Sequence, residues 1–193
     1  MNKRILQLFE TAIQAKQQFV SSQEFLKIQQ IAERLISLLE QGNKILICGN
    51  GGSASDALHF AAELVGRFEK NRGALPAIAL NSDVASITAI SNDFGYETVF
   101  ARQVEALGKE GDSLIGISTS GNSENVIKAM QIAKKQGLQR IGLLGRTGGK
   151  LRDEVDIALV VKEESTARIQ EIHITIIHIL CDLIENFFSR KNN

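Results

Sequence analysis

The chain has 193 residues, 44% of them hydrophobic, which suits one domain with a substantial core and would leave two cores rather small. Lysine plus arginine and aspartate plus glutamate number 22 each, so no whole-chain electrostatic argument favours nucleic acid or an anionic membrane as a partner. Two cysteines, Cys48 and Cys181, cannot make a disulfide scaffold, Gln7 and Glu10 interrupt the first apolar run before a secretory core could form, and no later run is read as long enough to span a bilayer. The expectation is therefore a cytoplasmic chain with buried, reduced thiols.

Two helices come first. Residues Asn2 to Phe19 carry Ile5, Leu8, Phe9, Ala12 and Ile13 at helical spacing; Ser21 with Glu24 then has capping-box form ahead of Phe25, Ile28, Ile31, Ala32, Leu35, Leu38 and Leu39, and Gly42 ends that helix. Such a pair is not needed to complete a βαβ sheet. It either covers a sheet face or forms an oligomer interface.

From Lys44 to Phe68 the sequence KILICGNGGSASDALHFAAELVGRF reads as a buried strand, a glycine turn and a helix. Ser53 or Ser55 can cap that helix, and Ala54, Ala57, Leu58, Ala61, Leu64, Val65 and Phe68 make its apolar face. Opposite them lie Asp56, His59, Glu63 and Gly66, with His59 and Glu63 one turn apart and Gly66 leaving room for a close approach. An imidazole and a carboxylate so placed can be a solvated surface pair or half of a site.

Ala77 to Leu80 reads as the second strand, Ser82 or Asp83 as the cap of a short helix, Asn92-Asp93-Phe94-Gly95 as a turn, and Thr98 to Leu107 as a helix. Strand three, Ser113 to Ile117, runs into Ser118-Thr119-Ser120-Gly121-Asn122-Ser123 and then a helix from about Glu124 to Gln136. Small hydroxyls and a glycine between a buried strand and a helix N-terminus can cradle an anion, or can simply be a serine-capped loop. No Gly-Lys-Ser/Thr follows, so this is not a Walker A loop, and Gly49-Asn50-Gly51-Gly52 lacks full dinucleotide-fingerprint spacing.

Strand four is Arg140 to Leu144 and strand five Ile157 to Val161. Strands alternating with helices imply a five-stranded parallel α/β sheet in a flavodoxin-like three-layer sandwich, and the order 2-1-3-4-5 would put the glycine turn and the serine loop in one crevice. The last helix, about Ser165 to Phe188, has one apolar stripe through Ile169, Ile172, Ile176, Leu180, Leu183 and Phe187. A second stripe passes through Gln170, Ile174, Ile177, His178 and Cys181, so the helix should be buried on two sides. His173 and His178 each read equally well as core histidines bonded to a backbone carbonyl.

Taken together, GNGGSASDALHFAAEL, SNDFGY, GISTSGNS and ARIQEIHITIIHIL resemble the sugar isomerase (SIS) family over nearly the whole chain, closest to its members that act on sedoheptulose 7-phosphate. The resemblance implies a single SIS domain over residues 1–193, in which 1–42 serve packing and oligomerisation and 43–193 form the phosphosugar-binding core. It also implies a homotetramer with one zinc ion per subunit and sites between subunits, and no nucleic-acid or membrane partner. By the same resemblance, His59, Glu63, Gln170 and His178 are the zinc ligands. Asn50, Gly51, Gly52, Glu63, Asn92, Asp93, Ser118, Thr119, Ser120, Ser123 and Gln170 surround the sugar phosphate, and Glu63 and His178 are the catalytic base and acid.

The implied reaction turns sedoheptulose 7-phosphate into D-glycero-D-manno-heptose 7-phosphate by proton transfer through an enediolate, for lipopolysaccharide synthesis. Imidazole nitrogens and a carboxylate oxygen are ordinary zinc donors, whereas an amide is uncommon. Two features depart from the commonest isomerase pattern. Ala62 stands where a second glutamate often precedes Glu63, and Leu80-Asn81-Ser82-Asp83 resembles a non-catalytic member of the family that binds the replication initiator. That relative typically lacks the glutamate and histidine present here as Glu63 and His178, which favours the enzyme.

Overall fold

A computed structural model describes residues 1–191. The chain opens with α1 (Asn2–Ser21) and α2 (Leu26–Glu40), and continues through β1 (Ile45–Gly49), α3 (Gly52–Val65), β2 (Ala77–Ala79), α4 (Val84–Phe94) and α5 (Val99–Leu107). It ends with β3 (Ser113–Ser118), α6 (Glu124–Lys135), β4 (Gln139–Gly145), β5 (Ile157–Val161) and α7 (Thr166–Lys191). The five strands form one parallel sheet in the order β2-β1-β3-β4-β5, as the alternation of strands and helices predicted.

Side-chain alternation along each strand divides the core in two. Ile45, Ile47, Ile115, Ile117, Ile141 and Leu143 point to the face covered by α2, α3 and α7, while Leu46, Cys48, Leu114, Leu144 and Val160 point to the face covered by α5 and α6. Both cysteines are buried free thiols, and burial pushes each up to about 12. Helix α7 is, by length and a mean hydropathy of 1.3, apolar enough to match a bilayer, contrary to the reading that no run was. Its apolar side chains Ile169, Ile172, Ile176, Ile177, Leu180 and Ile184 belong to the core.

Several local expectations differ. Ser21 ends α1 and donates to Gln17 O, so there is no capping box: Glu24 instead pairs with Lys27 and accepts from Val160 N, tying the α1–α2 turn to β5. Ser53 and Ser55 lie inside α3, whose N-cap is Gly51 at φ +57, a left-handed conformation that glycine adopts without strain. Leu58 and Val65 are exposed, and Phe60 takes the place in the core that they were read to fill. Asn92, Asp93 and Phe94 form the last turn of α4, not a loop, with Gly95 as its C-cap, and Gly66 is likewise the C-cap of α3. Asp83 is the cap of α4, accepting from Ser86 N at 3.1 Å.

Candidate functional site

The order in which strands are added to the sheet reverses between the parallel neighbours β1 and β3, where Gly49 pairs with Ile117. The segments that follow, Asn50 to Gly52 and Ser118 to Ser123, therefore emerge side by side at the carboxyl ends of the strands, the position where open α/β sheets bind ligands.

The serine loop is held from within. Ser118 Oγ lies 2.9 Å from Ser123 Oγ and accepts from Gly121 N, while Ser120 Oγ accepts from Asn122 N at 3.1 Å. Gly121, at φ +68, sits so tightly on Gly148 that any side chain would collide with its carbonyl, and Asn122 Oδ1 accepts from Lys150 N. Ser123 is the N-cap of α6 but spends its hydroxyl on Ser118, so the loop closes over a helix N-terminus whose dipole favours an anion.

Three further polar residues, none of them assigned to the site from the sequence, tie the crevice together. Asn125, buried at the start of α6, exchanges a reciprocal amide pair with Asn50, both bonds 2.9 Å, and Tyr96 donates its hydroxyl to Asn50 Oδ1, also at 2.9 Å. Asn81 continues the β1–β2 ladder through its amide, which accepts from Gly49 N and donates to Gly49 O. The sequence signal for Asn125 was adjacency to the serine motif, and for Tyr96 its place at the end of SNDFGY. Asn92 and Asp93 are exposed and bond each other at 2.8 Å, and Tyr96 is what brings their segment to the mouth of the crevice.

Helices α3 and α7 supply the titratable groups. His59 Nε2 and His178 Nε2 are 3.0 Å apart, one ring nitrogen donating to the other, and His59 Nε2 is 3.5 Å from Glu63 Oε1. Donors around a tetrahedral zinc at about 2.0–2.1 Å lie roughly 3.3–3.4 Å from one another, so these two separations are close to those an ion would impose. Among the described residues no three His, Cys, Asp or Glu side chains stand as a ready-made metal cluster. The two imidazoles, bonded to each other, would have to part by a few tenths of an ångström.

Gln170 lies elsewhere: its amide packs on Gly52, where any Cβ would collide with it, and its backbone is about 12 Å along the α7 axis from His178. One turn before His59, Asp56 has a buried carboxylate oxygen without a partner. Burial pushes its carboxyl up to about 6, and His59 draws it partly back.

A doubly wound sheet with a glycine turn and a serine loop at its switch point, flanked by His59 in contact with both Glu63 and His178 on two helices, is the build of a phosphosugar-handling α/β domain. The SIS domain family matches residues 8–145. A phosphoheptose isomerase of Helicobacter pylori (strain P12) is 58% identical over 177 residues, 92% of this chain and 91% of that protein. Solved phosphoheptose isomerases from Neisseria gonorrhoeae and Francisella tularensis superpose with TM-scores of 0.90 and 0.91 at 45% and 44% identity. The first comparison covers 96% of this chain and 98% of the other, the second 95% and 97%. The chain belongs to the SIS domain family and, within it, to the phosphoheptose isomerases, and it is an isomerase of sugar phosphates in heptose metabolism.

Proposed function

We propose that this isomerase converts sedoheptulose 7-phosphate to D-glycero-D-manno-heptose 7-phosphate in the crevice between β1 and β3. The observation that carries the reading is the approach of His59, Glu63 and His178 from two helices. The serine loop takes the phosphate with its hydroxyls and the α6 N-terminus, and Asn50, locked by Asn125 and Tyr96, meets the sugar hydroxyls. His59, Glu63 and His178 would hold a zinc ion, with Gln170, whose amide packs on Gly52, the one ligand of the four that would have to swing toward them, and the ion would supply Lewis acidity where negative charge develops.

The residues then move protons. Glu63 accepts a proton from C1 of the ketose and returns it to C2, and His178 serves the sugar oxygens, so that the O1 proton is lost as O2 gains one. The net change is one hydrogen from C1 to C2 and one from O1 to O2, with no external oxidant or reductant. An enediolate lies between the two forms.

Exposed Ile5, Leu6, Phe9 and Ile13 on α1, with Ile179 and Leu183 beside a cavity of about 1030 Å³ between α2 and α7, support self-association into a homotetramer. Residues 1–42 then serve oligomerisation, residues 43–193 are the phosphosugar-binding core, and the protein works in the cytoplasm, its product feeding lipopolysaccharide synthesis. Incubation with sedoheptulose 7-phosphate should yield the aldose phosphate. No product, together with tight binding of a replication initiator, would overturn this in favour of the non-catalytic regulator.

A further inference from the structure

Two buried charged residues outside the crevice are not used by this chemistry. Glu185, 2% exposed, lies on α7 two turns beyond His178 and accepts three consecutive backbone N–H groups, Phe68 at 2.8 Å and Glu69 and Lys70 at 2.7 Å. Burial alone would raise its carboxyl pKa, but those three donors and Arg72 bring it below the ordinary glutamate range. Arg72, its side chain 1% exposed, has Nε 3.5 Å from Glu185 Oε1. Its guanidinium donates to Glu63 O at 2.7 Å, Leu64 O and Gly73 O at 2.8 Å, and Gly66 O at 3.4 Å.

The carbonyls of Glu63 and Leu64 are among the last of α3, which lack partners within the helix, so Arg72 caps the turn that bears Glu63. On the other side of the same loop the Phe68 ring lies 5.7 Å from the His178 ring. The loop has little core of its own: Gly66, Arg67, Glu69, Lys70, Asn71, Gly73 and Ala74 are exposed. A glycine C-cap alone would end α3, and a buried ion pair is weak as a source of stability and better suited to fixing one geometry.

We propose that Arg72 and Glu185 are positioning residues for the isomerisation: they clamp the 66–75 loop between α3 and α7 so that Glu63 and the His178 ring are held in register. This rests on the reading of Glu63 and His178 as base and acid. The hydrogen bonds of both residues go to the 63–73 segment and none to the serine loop, so the phosphate end of the crevice does not depend on them.

The test compares Arg72→Lys, Glu185→Gln and Phe68→Leu with wild type in steady-state turnover of sedoheptulose 7-phosphate, with Glu63→Gln alongside. Lysine keeps the charge but cannot reach four carbonyls, and glutamine offers an N–H₂ to backbone donors. Expected is a kcat loss of about tenfold to a hundredfold with KM within about twofold, and the variant combining Arg72→Lys with Glu185→Gln should be no worse than the worse of those two singles.

Leu35→Ala, in the core under α2, sets the control: folded at the assay temperature by circular dichroism, it should keep wild-type kcat despite lowered stability. If Glu185→Gln does not fold, Arg72→Lys and Phe68→Leu carry the test. Unchanged kcat in the folded variants, or KM rising in step with the fall in kcat, overturns the proposal. If Glu63→Gln is inactive while the clamp variants keep kcat, positioning alone fails; if Glu63→Gln is active, the underlying reading fails.

Discussion

His173 is fully buried on α7, one turn from Gln170, and neither ring nitrogen has a partner of full hydrogen-bond geometry. Burial pushes its pKa down to about 4 from the usual 6.5, and the nearby Leu144 backbone offsets this only in part. In the unfolded chain the imidazole takes a proton near 6.5, whereas the folded protein admits one only near 4. Its neutral burial is therefore fully tolerated above that upper value, and stability is lost as pH falls through the window between the two. With about 1.36 kcal/mol per unit, the loss is about 2 kcal/mol by about pH 5 and about 3 kcal/mol by about pH 4. Leucine has similar bulk and no ring nitrogens, so His173→Leu should be neutral or stabilising at neutral pH and should remove that acid-side loss. Urea unfolding of both proteins across this range measures it, and the difference between their curves isolates His173 from the carboxylates. If the two stabilities fell in parallel on acidification, His173 would not be buried neutral under β4, and the packing of α7 would need revision.

Replacing Ser120 with Asp puts a negative charge where phosphate is to bind, and should raise KM by more than about tenfold or abolish turnover with the circular dichroism spectrum unchanged; normal kinetics would place the phosphate elsewhere. Chelation should strip zinc and activity together, with activity returning on adding zinc, and His59→Ala should hold far less metal than wild type by elemental analysis. Leu183→Glu, beside the cavity between α2 and α7, should shift the protein to smaller species in size-exclusion chromatography, and an unchanged elution volume would remove that face from the assembly.

Much of the fold was legible because the apolar runs at Ile45, Leu114, Ile141 and Ile157 are short, β-branched or leucine-rich, and separated by helical periods; alternation of that kind admits few topologies. His59 and Glu63 were legible because they share one helix face. Errors arose where a local signal had two readings. Asn-Asp-Phe-Gly suits a turn, yet it is the end of α4 with only Gly95 outside it. Ser53 and Ser55 look like caps, but the turn places Gly51 there. Asn125, Tyr96, Arg72 and Glu185 acquire their partners only when distant elements meet, through contacts that no periodicity marks.

In the proposed reaction Glu63 performs the proton transfer in a site that would also hold zinc. Glu63→Gln keeps size and an oxygen donor and removes the basic carboxylate, so the decisive measurement is its kcat on sedoheptulose 7-phosphate with zinc content determined on the same sample. A fall of about a hundredfold to ten-thousandfold with zinc retained is the result expected. A zinc-loaded Glu63→Gln protein that turns over at the wild-type rate would contradict it.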